Sequence, residues 1–350
     1  MIPARRRRTN SVPGASLRSP NTARPPRLGL CCVFHDEPAF KFRTTTVAYL
    51  SRLVVDDSTG AGARAFYRRL VTDNLETLER VVTWCDENGV GAFRIGSDLW
   101  PRATHPLVVP WVEALFDDDD IRARFTAIRE SASLRDIRLS EHPDQFLVGN
   151  SVRADVVNST IVELEWRGRL GAALGVDVIC LHVGSGAPDR ESALWRWEAT
   201  LARLSPAVLW RLALENDDRT FTPEQILPAC LAWSLPMVYD AHHHRVNRDA
   251  LTEEDATLLS IASWGDREPY FHLSSPRAGW KGSDARPHHD LIDVADWPPI
   301  WTEMWTANVP FTVDIEAKAK ECAIFALRTA ILASSNQQPA TSNQQLATSN

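Results

Sequence analysis

Eight short apolar runs, each followed by a longer stretch with helical periodicity, constrain the fold of this chain more than any other feature. The runs are LGLCCV (28–33), GAFRIG (91–96), IRLSEH (137–142), DVICLHV (177–183), WRLALEN (210–216), MVYDAH (237–242), PYFHLS (269–274) and FTVDIEA (311–317). Most are continuously apolar rather than alternating, which is typical of strands covered on both faces of a parallel sheet. The repeated strand–helix order predicts an α/β fold, a (β/α)8 TIM barrel.

Amphipathic helices are predicted between these strands. Residues 74–89 place their leucines and valines on one stripe, and the stripe ends at Gly89. Residues 222–234 open with Thr222 followed by a proline, an order that is favoured at a helix N-terminus. The run FDDDDI (116–121) is interpreted as another helix start, because aspartate is favoured in a first turn.

Both ends of the chain differ in composition from the predicted barrel. Residues 1–27 hold seven arginines and no acidic residue, although the whole chain has a net charge of −7. We therefore predict a disordered basic arm rich in Pro, Ser and Arg over 1–26, which would attract polyanions; a transit peptide and a mis-assigned start remain alternatives. Residues 334–350 repeat a polar unit and predict a disordered tail. The TIM-barrel domain is predicted to span 27–333.

The composition also limits where the protein works. No run approaches the roughly 18 uninterrupted apolar residues of a membrane span. None of the six cysteines forms a CxxC pair, which favours reduced, buried thiols in an intracellular protein. We expect a cytoplasmic protein, associated with the nucleoid if bacterial, that contacts no membrane. A monomer without an obligate protein partner is expected.

A histidine or an acidic residue stands at the end of each of the last six predicted strands. These residues, with one histidine after the second strand and one in the long segment after the seventh, are His105, His142, His182, Glu215, Asp240, His243, His272, His288 and Glu316. In a (β/α)8 barrel the C-terminal strand ends and the following loops carry the active site. The side chains are therefore expected to meet at one end of the barrel.

This set of side chains predicts a metal centre. Imidazole and carboxylate ligands suit Zn, Mn, Fe or Co, and the lack of thiolates argues against a structural zinc site. The set exceeds what one ion can use, so two or three ions sharing a bridging carboxylate are expected, with Glu215 as the bridge. In the histidine triplet, His243 is expected to bind with Asp240, and His242 and His244 to serve as outer or surface groups. A solvated turn is the alternative for His288.

The chain resembles the ultraviolet-damage endonucleases over residues 27–325. The resemblance rests on a series of segments in family order, among them SEHPDQFLVGN, ALENDDRTFTPEQIL, PMVYDAHHH, FHLSSPR, RPHHDLID and DIEAKAKE. That family nicks DNA on the 5′ side of photoproducts and of some other lesions. It belongs to the same barrel superfamily as apurinic-site endonucleases and xylose-isomerase-like sugar enzymes.

The resemblance implies a role for each predicted ligand. The nine residues would hold two or three divalent ions, with manganese favoured and zinc, magnesium or cobalt as alternatives. Glu215 and Glu316 would hold the ions on the side of the nucleophile, with His272 and Asp240 completing that shell. Lys318 resembles a family lysine that reaches a phosphate; a salt-bridged helix start is the alternative.

The resemblance also implies a surface for double-stranded, damaged DNA. Gln145 and Phe146 match a family pair that probes the duplex opposite the lesion, with Phe146 as an apolar wedge; a core position is the alternative for Phe146. Further predicted DNA contacts are Asn216, Arg277 and Lys281. A local basic face is predicted from these two cations together with Arg94, Arg102 and Arg153.

Three positions depart from the family pattern, and the chain is expected to be a divergent branch. Tyr270 stands where some relatives have a lysine, and Leu30 and Phe34 replace aromatic and Asn side chains of some relatives. The expected reaction is hydrolysis of the phosphodiester 5′ to a UV photoproduct, leaving 3′-hydroxyl and 5′-phosphate ends. An apurinic-site endonuclease and a metal-dependent sugar isomerase or epimerase remain the alternatives.

Overall fold

Eight parallel strands close into a barrel in sequence order, β1 to β8. The computed structural model describes residues 26–57, 59–143 and 146–335, so most of the predicted arm and tail lies outside the described residues. The strands are β1 (Arg27–Cys31), β2 (Ala92–Ile95), β3 (Arg138–Glu141), β4 (Val178–His182), β5 (Leu212–Glu215), β6 (Met237–Asp240), β7 (Tyr270–Leu273) and β8 (Thr312–Ile315). Each lies within two residues of its predicted bounds, and the predicted TIM barrel is confirmed.

The α-helices of the described residues surround this barrel. They are α1 (Val47–Asp56), α2 (Ala61–Glu87), α3 (Val109–Phe116), α4 (Asp119–Leu134), α5 (Ala154–Leu174), α6 (Arg190–Leu201), α7 (Pro206–Leu209), α8 (Pro223–Trp233), α9 (Ala241–Val246), α10 (Glu253–Trp264), α11 (Pro299–Thr306) and α12 (Lys320–Ser335). Within the described ranges, none of them is long and apolar enough to cross a bilayer.

The helices follow the predicted patterns. The stripe of α2 is fully buried at Leu75 and Leu78, and each buried leucine stabilises the fold by about 1.5–3 kcal/mol. Helix α8 begins after Thr222, which forms a capping box. Asp118 caps α4 by accepting hydrogen bonds from the backbone amides of Asp120 and Ile121, so the acidic run is a helix start, as predicted.

The inside of the barrel is arranged in layers, because residues two apart on a strand face the same side. The bottom layer contains Arg138 and Thr312, the first residues of their strands. Above it, a mainly apolar group of side chains fills the middle. The predicted ligands at the C-terminal strand ends form the top layer, which we call the mouth. The strands therefore position the candidate site, and the helices position the strands.

Candidate metal centre

Glu215, the last residue of β5, is the centre of the mouth. Its carboxylate is fully buried and is surrounded by four imidazoles. One oxygen, Oε2, lies 2.9 Å from Nε2 of His142 and 3.2 Å from Nε2 of His182. The other, Oε1, lies 2.9 Å from Nδ1 of His272 and 3.3 Å from Nδ1 of His243. The prediction that strands three to seven bring these side chains together agrees with this geometry.

Asp240 links the end of β6 to the short helix α9. Its Oδ1 accepts a hydrogen bond of 2.7 Å from the backbone amide of His243, which begins the helix and turns the imidazole of His243 toward Glu215. Nδ1 of His243 also lies 3.4 Å from Oδ2 of Asp240. This pair therefore depends on a helix N-cap.

Glu316 provides a second carboxylate directly after β8. Its Oε1 lies 3.6 Å from Nδ1 of His272, and its Oε2 lies 3.8 Å from Nδ1 of His288. His288 reaches this position because the segment after β7 folds back, with an antiparallel bridge between Pro276 and His288. His288 is half-buried and faces Glu316, and this contact disfavours the solvated turn.

The buried acids and imidazoles of the mouth shift one another's pKa values. Burial alone would raise the pKa of Glu215, but His272, His182 and the hydrogen bond from His142 hold that pKa well below its usual range. Burial alone would lower the pKa of His272, but Glu215 and Glu316 raise it to about 9. The neighbouring carboxylates also raise the pKa of His182 and His243 against the effect of burial, whereas burial lowers the pKa of His142. Without a metal ion, the mouth therefore pairs its carboxylates with imidazoles that keep their protons, except for His142.

The donor set fits divalent metal ions. Ligand atoms of His142, Glu215 and His272, with the thiol of Cys180, lie within 4.8 Å of one another, as do those of His182, Glu215 and His243. Both groups contain Glu215, which suits an acid that bridges two ions. In addition, Oδ2 of Asp240 is buried without a hydrogen-bond partner in the described structure, and a buried acceptor of this kind is costly unless a cation or a donor meets it.

Two side chains at the metal centre were not predicted from the sequence. Cys180 lies two residues before His182 and donates a hydrogen bond of 3.3 Å to Oε2 of Glu215. Asp314 lies two residues before Glu316, with Oδ2 3.8 Å from Nε2 of His272. Each shares a strand face with a predicted ligand, so the two-residue period was the signal that could have found both.

His105 is the predicted ligand that the structure leaves apart from the others. It is half-buried in the loop after β2 and belongs to neither group of clustered donors. Its Nδ1 accepts a hydrogen bond of 3.2 Å from the backbone amide of Leu107. It lines a cleft of about 1010 Å³ beside the mouth, together with Phe146.

The histidine triplet is buried throughout, so a surface position for His242 or His244 is wrong. His244 is used structurally, since its Nδ1 lies 2.9 Å from the hydroxyl of Tyr239 and its Nε2 lies 2.9 Å from Oδ1 of Asp249. The ring of His242 packs between those of His288 and Trp280, at centroid distances of 5.4 and 5.3 Å. Helix α9 accounts for this burial, because it returns the chain to the barrel.

The predicted wedge, Phe146, is 79% exposed, so a core position for it is wrong. An aromatic side chain this exposed, on the wall of a cleft, is available to a large ligand. Its predicted partner Gln145 lies outside the described residues.

Two of the predicted DNA contacts are internal instead. The amide of Asn216 is fully buried; it donates to the carbonyl of Asp240 at 2.9 Å and accepts from the amide of Asp240 at 3.0 Å. Arg94 points into the barrel, where its Nη1 lies 2.5 Å from Oε1 of Glu316. Asn216, the first residue after β5, braces the ends of β5 and β6. Arg94 lies at an inward position of β2 and neutralises an acid of the mouth.

The other predicted cations are exposed. Arg277, Lys281 and Lys318 lie on the loops after β7 and β8, and the backbone amide of Lys318 donates to the carbonyl of His289 at 3.0 Å. Arg102 is exposed beside the cleft, and Arg153 is exposed but paired with Asp155.

The departures from the family pattern are all accommodated by packing. Tyr270 is fully buried beneath the mouth and donates to Oδ1 of Asp314 at 2.8 Å. Leu30 is fully buried in the core. Phe34 packs its ring 4.8 Å from that of Trp84, so it faces an aromatic cluster of the outer shell.

Solved structures of the same architecture are described as endonucleases and as a sugar epimerase. A structure described as SacUVDE matches with a TM-score of 0.74 and 24% identity, over 89% of this chain and 100% of that one. Endonuclease IV from Thermus thermophilus matches with a TM-score of 0.53 and 18% identity, over 73% and 94%. D-psicose 3-epimerase from Clostridium cellulolyticum matches with a TM-score of 0.50 and 10% identity, over 89% and 98%. These likenesses confirm the predicted (β/α)8 barrel fold.

The sequence comparisons are more specific. A UV DNA damage endonuclease of Deinococcus radiodurans is 32% identical over 321 residues, which cover 87% of this chain and 95% of that protein. The family model described as UV-endonuclease UvdE matches residues 26–345. The chain therefore belongs to the UV-endonuclease UvdE family.

Proposed function

We propose that this protein hydrolyses the DNA phosphodiester on the 5′ side of UV photoproducts, using a centre of two or three divalent ions at the mouth. The observation that carries the proposal is the buried carboxylate of Glu215 between four imidazoles, in a member of a family of UV endonucleases. A DNA endonuclease needs no protein partner for this reaction, and we expect a monomer.

The proposed ligands of the ions are the nine residues of the sequence prediction. Glu215 would hold ions of both donor groups, because it belongs to both, and Glu316 and Asp240 would provide further carboxylates. Mn²⁺ is the proposed metal, because carboxylate ligands suit it. His105 is the least supported of the nine, since it lies apart from both groups. When bound, such ions lower the pKa of water and stabilise charge on the leaving oxygen.

The residues around the proposed ion site either hold its ligands in place or bind the DNA. Arg94 holds the carboxylate of Glu316 in place from inside the barrel, and burial beneath the mouth keeps water away from Glu215. The exposed side chain of Lys318 lies in the loop after β8, and we propose that it contacts a phosphate of the DNA. The exposed cations Arg277 and Lys281 provide salt-sensitive binding to the DNA backbone.

Lesion recognition is proposed for the neighbouring cleft. Phe146 is an exposed apolar wedge, and unstacking a damaged base step costs less than unstacking an intact one. The cleft, at about 1010 Å³, reaches the upper end of the range for ligand pockets, about 1,000 Å³, and leaves room for unstacked nucleotides. Gln145 is proposed to act with Phe146.

The proposal is tested with manganese-loaded protein and three end-labelled duplexes, one irradiated, one with an abasic site and one undamaged. We expect a nick immediately 5′ to the photoproduct, with 3′-hydroxyl and 5′-phosphate ends, and no cutting of the undamaged duplex. Glu215→Gln serves as the inactive control.

Two outcomes would contradict the proposal and identify an alternative. Cutting of only the abasic duplex would make the protein an apurinic-site endonuclease. Turnover of ketose sugars without DNA cutting would make it an isomerase or epimerase of the same fold.

A further inference from the structure

Directly beneath the mouth, a chain of hydrogen bonds runs between three strands. Tyr270 donates its hydroxyl hydrogen to Oδ1 of Asp314 at 2.8 Å, so its contact of 2.7 Å with Oγ of Ser140 must use the serine as donor. All three side chains are buried. The chain therefore has one direction, from Ser140 through Tyr270 to Asp314.

This chain of hydrogen bonds ends at Oδ1 of Asp314, and the other oxygen of that carboxylate faces His272. Oδ2 of Asp314 and Nε2 of His272 are 3.8 Å apart, and both side chains are fully buried. Neither atom has a hydrogen-bond partner in the described structure. An imidazole N–H and a carboxylate oxygen are complementary, and an unpaired buried polar atom of either kind costs about 1–3 kcal/mol. The geometry therefore favours a contact between them once the ring is fixed from its other side.

The other side of the His272 ring is the side that faces the metal centre. Nδ1 lies 2.9 Å from Glu215 and 3.6 Å from Glu316. A histidine that binds a metal through one nitrogen usually donates its other N–H to a carboxylate or a carbonyl, which fixes the tautomer and the orientation of the ring. In this chain the only carboxylate recorded near Nε2 within the described residues is that of Asp314.

The backbone leaves space for this carboxylate. A Cβ atom on Gly29 of the adjacent strand β1 would lie 2.2 Å from Oδ1 of Asp314, so a residue with a side chain at position 29 would displace the acid. Burial raises the pKa of Asp314, and the nearby Arg94 and His272 oppose that shift. Gly29, Tyr270 and Asp314 thus form one packed unit.

We infer that Asp314 is a positioning residue, which holds His272 by Nε2 so that Nδ1 is presented to a metal ion, and that Tyr270 holds Asp314 in place. The inference rests on the proposed metal centre and concerns residues that do not touch the ions or the DNA. It predicts that the phenol acts only through the carboxylate, and not on the metal directly.

The test measures Mn²⁺ binding by electron paramagnetic resonance of the free ion, with full-length protein and without DNA. We expect Asp314→Asn to weaken the binding of an ion by about 10–100-fold, the usual effect of losing an outer partner of a ligand. Tyr270→Phe should weaken it less, by about threefold to tenfold. The double variant should bind like Asp314→Asn alone, because two residues acting through one contact are not additive.

Thr312→Val is the matched control, since Thr312 lies two residues earlier on the same face of β8 and bonds to Glu268 at the opposite end. It should leave Mn²⁺ affinity unchanged even if it lowers stability. Native affinity in Asp314→Asn, or additive losses in the double variant, would overturn the inference. If Asp314→Asn does not fold, native affinity in Tyr270→Phe overturns it and a loss that Thr312→Val lacks supports it. Because the assay contains no DNA, a failure of the proposed nicking activity would be seen separately.

Discussion

The two ends of this barrel use the same kinds of charged side chain in opposite ways. At the bottom, Glu268 lies between Arg27 and Arg138, with Oε2 2.5 Å from Nη1 of Arg27 and Oε1 accepting from the hydroxyl of Thr312 at 2.6 Å. Nε of Arg138 lies 3.1 Å from Oδ2 of Asp177. Each of these four charged side chains has an opposite partner.

At the mouth, by contrast, acids and imidazoles lie close together, and some of their polar atoms form no hydrogen bond within the described residues. Oδ2 of Asp240, Oδ2 of Asp314 and Nε2 of His272 are buried and have no hydrogen-bond partner in the described structure. None of the charged atoms of the bottom group named above shares that property. Burial of charge alone therefore does not distinguish the two ends of the barrel. The mouth differs because its unpartnered atoms lie next to clustered metal-ligand atoms.

The largest expected effect comes from Glu215→Gln, which removes the central charge of the mouth. We expect nicking of irradiated DNA to fall by about a thousandfold or more, because the bridging carboxylate is lost. The rate of nicking under metal saturation and the Mn²⁺ affinity are the measurements. Nicking at the native rate would show that the mouth is not the reaction centre.

The matched change at the other end is Glu268→Gln. Here we expect the free energy of unfolding to fall by about 1.5–3 kcal/mol, because Arg27 and Arg138 each lose one of their acidic partners. They keep the other partner, Asp136 for Arg27 and Asp177 for Arg138. Below its melting temperature the variant should still bind Mn²⁺ and nick DNA. Denaturant unfolding compares it with Glu215→Gln, and the contrast would fail if Glu268→Gln lost metal binding while remaining folded.

The pH dependence of the metal-free protein should also separate the two ends. His272 has its pKa raised from 6.5 to about 9, so its contribution is complete below about pH 6.5 and is lost as the pH rises through about 9. One pKa unit corresponds to about 1.4 kcal/mol, so this loss is on the order of 3 kcal/mol. Glu268 has a lowered pKa because Arg138 and Arg27 outweigh its burial, so its contribution is lost only at acid pH.

Thermal unfolding of metal-free protein from pH 4 to 10 measures both losses. Glu215→Gln should reduce the alkaline loss, with Glu316 left to raise the pKa of His272, and Glu268→Gln should remove part of the acid loss. Mn²⁺ affinity should rise over the same alkaline range, because the ligand must release its proton. If the loss of stability at alkaline pH were as large in Glu215→Gln as in the native protein, the loss could not be assigned to the mouth.

The smallest effect is expected for Phe146→Ala, because Phe146 lies beside the mouth and is not one of the predicted metal ligands. We expect the preference for irradiated over undamaged duplex to fall by about tenfold, because a wedge that unstacks bases is removed. Mn²⁺ affinity should not change. Val152→Ala, another exposed apolar residue at 67% exposure, is the control and should leave the preference unchanged.

The sequence was sufficient for the barrel and for much of the mouth, since each strand end carries its own signal. Residues such as His142 and Glu215 could be placed because parallel strands bring their C-terminal ends together. Asp314 and Arg94 could not, because their roles depend on which side chains of neighbouring strands meet inside the barrel. Helix α9 was missed because Asp240 serves both as a predicted ligand and as a cap.

The central claim, that the mouth is a metal centre that cuts damaged DNA, is tested most directly by removing and restoring the metal. Protein stripped by chelation would be incubated with an end-labelled, irradiated duplex before and after addition of Mn²⁺, with the bound ions counted. We expect no nicking by the stripped protein, and restored nicking 5′ to the photoproduct when two or three ions are bound per chain. Nicking by fully stripped protein at the native rate would contradict it.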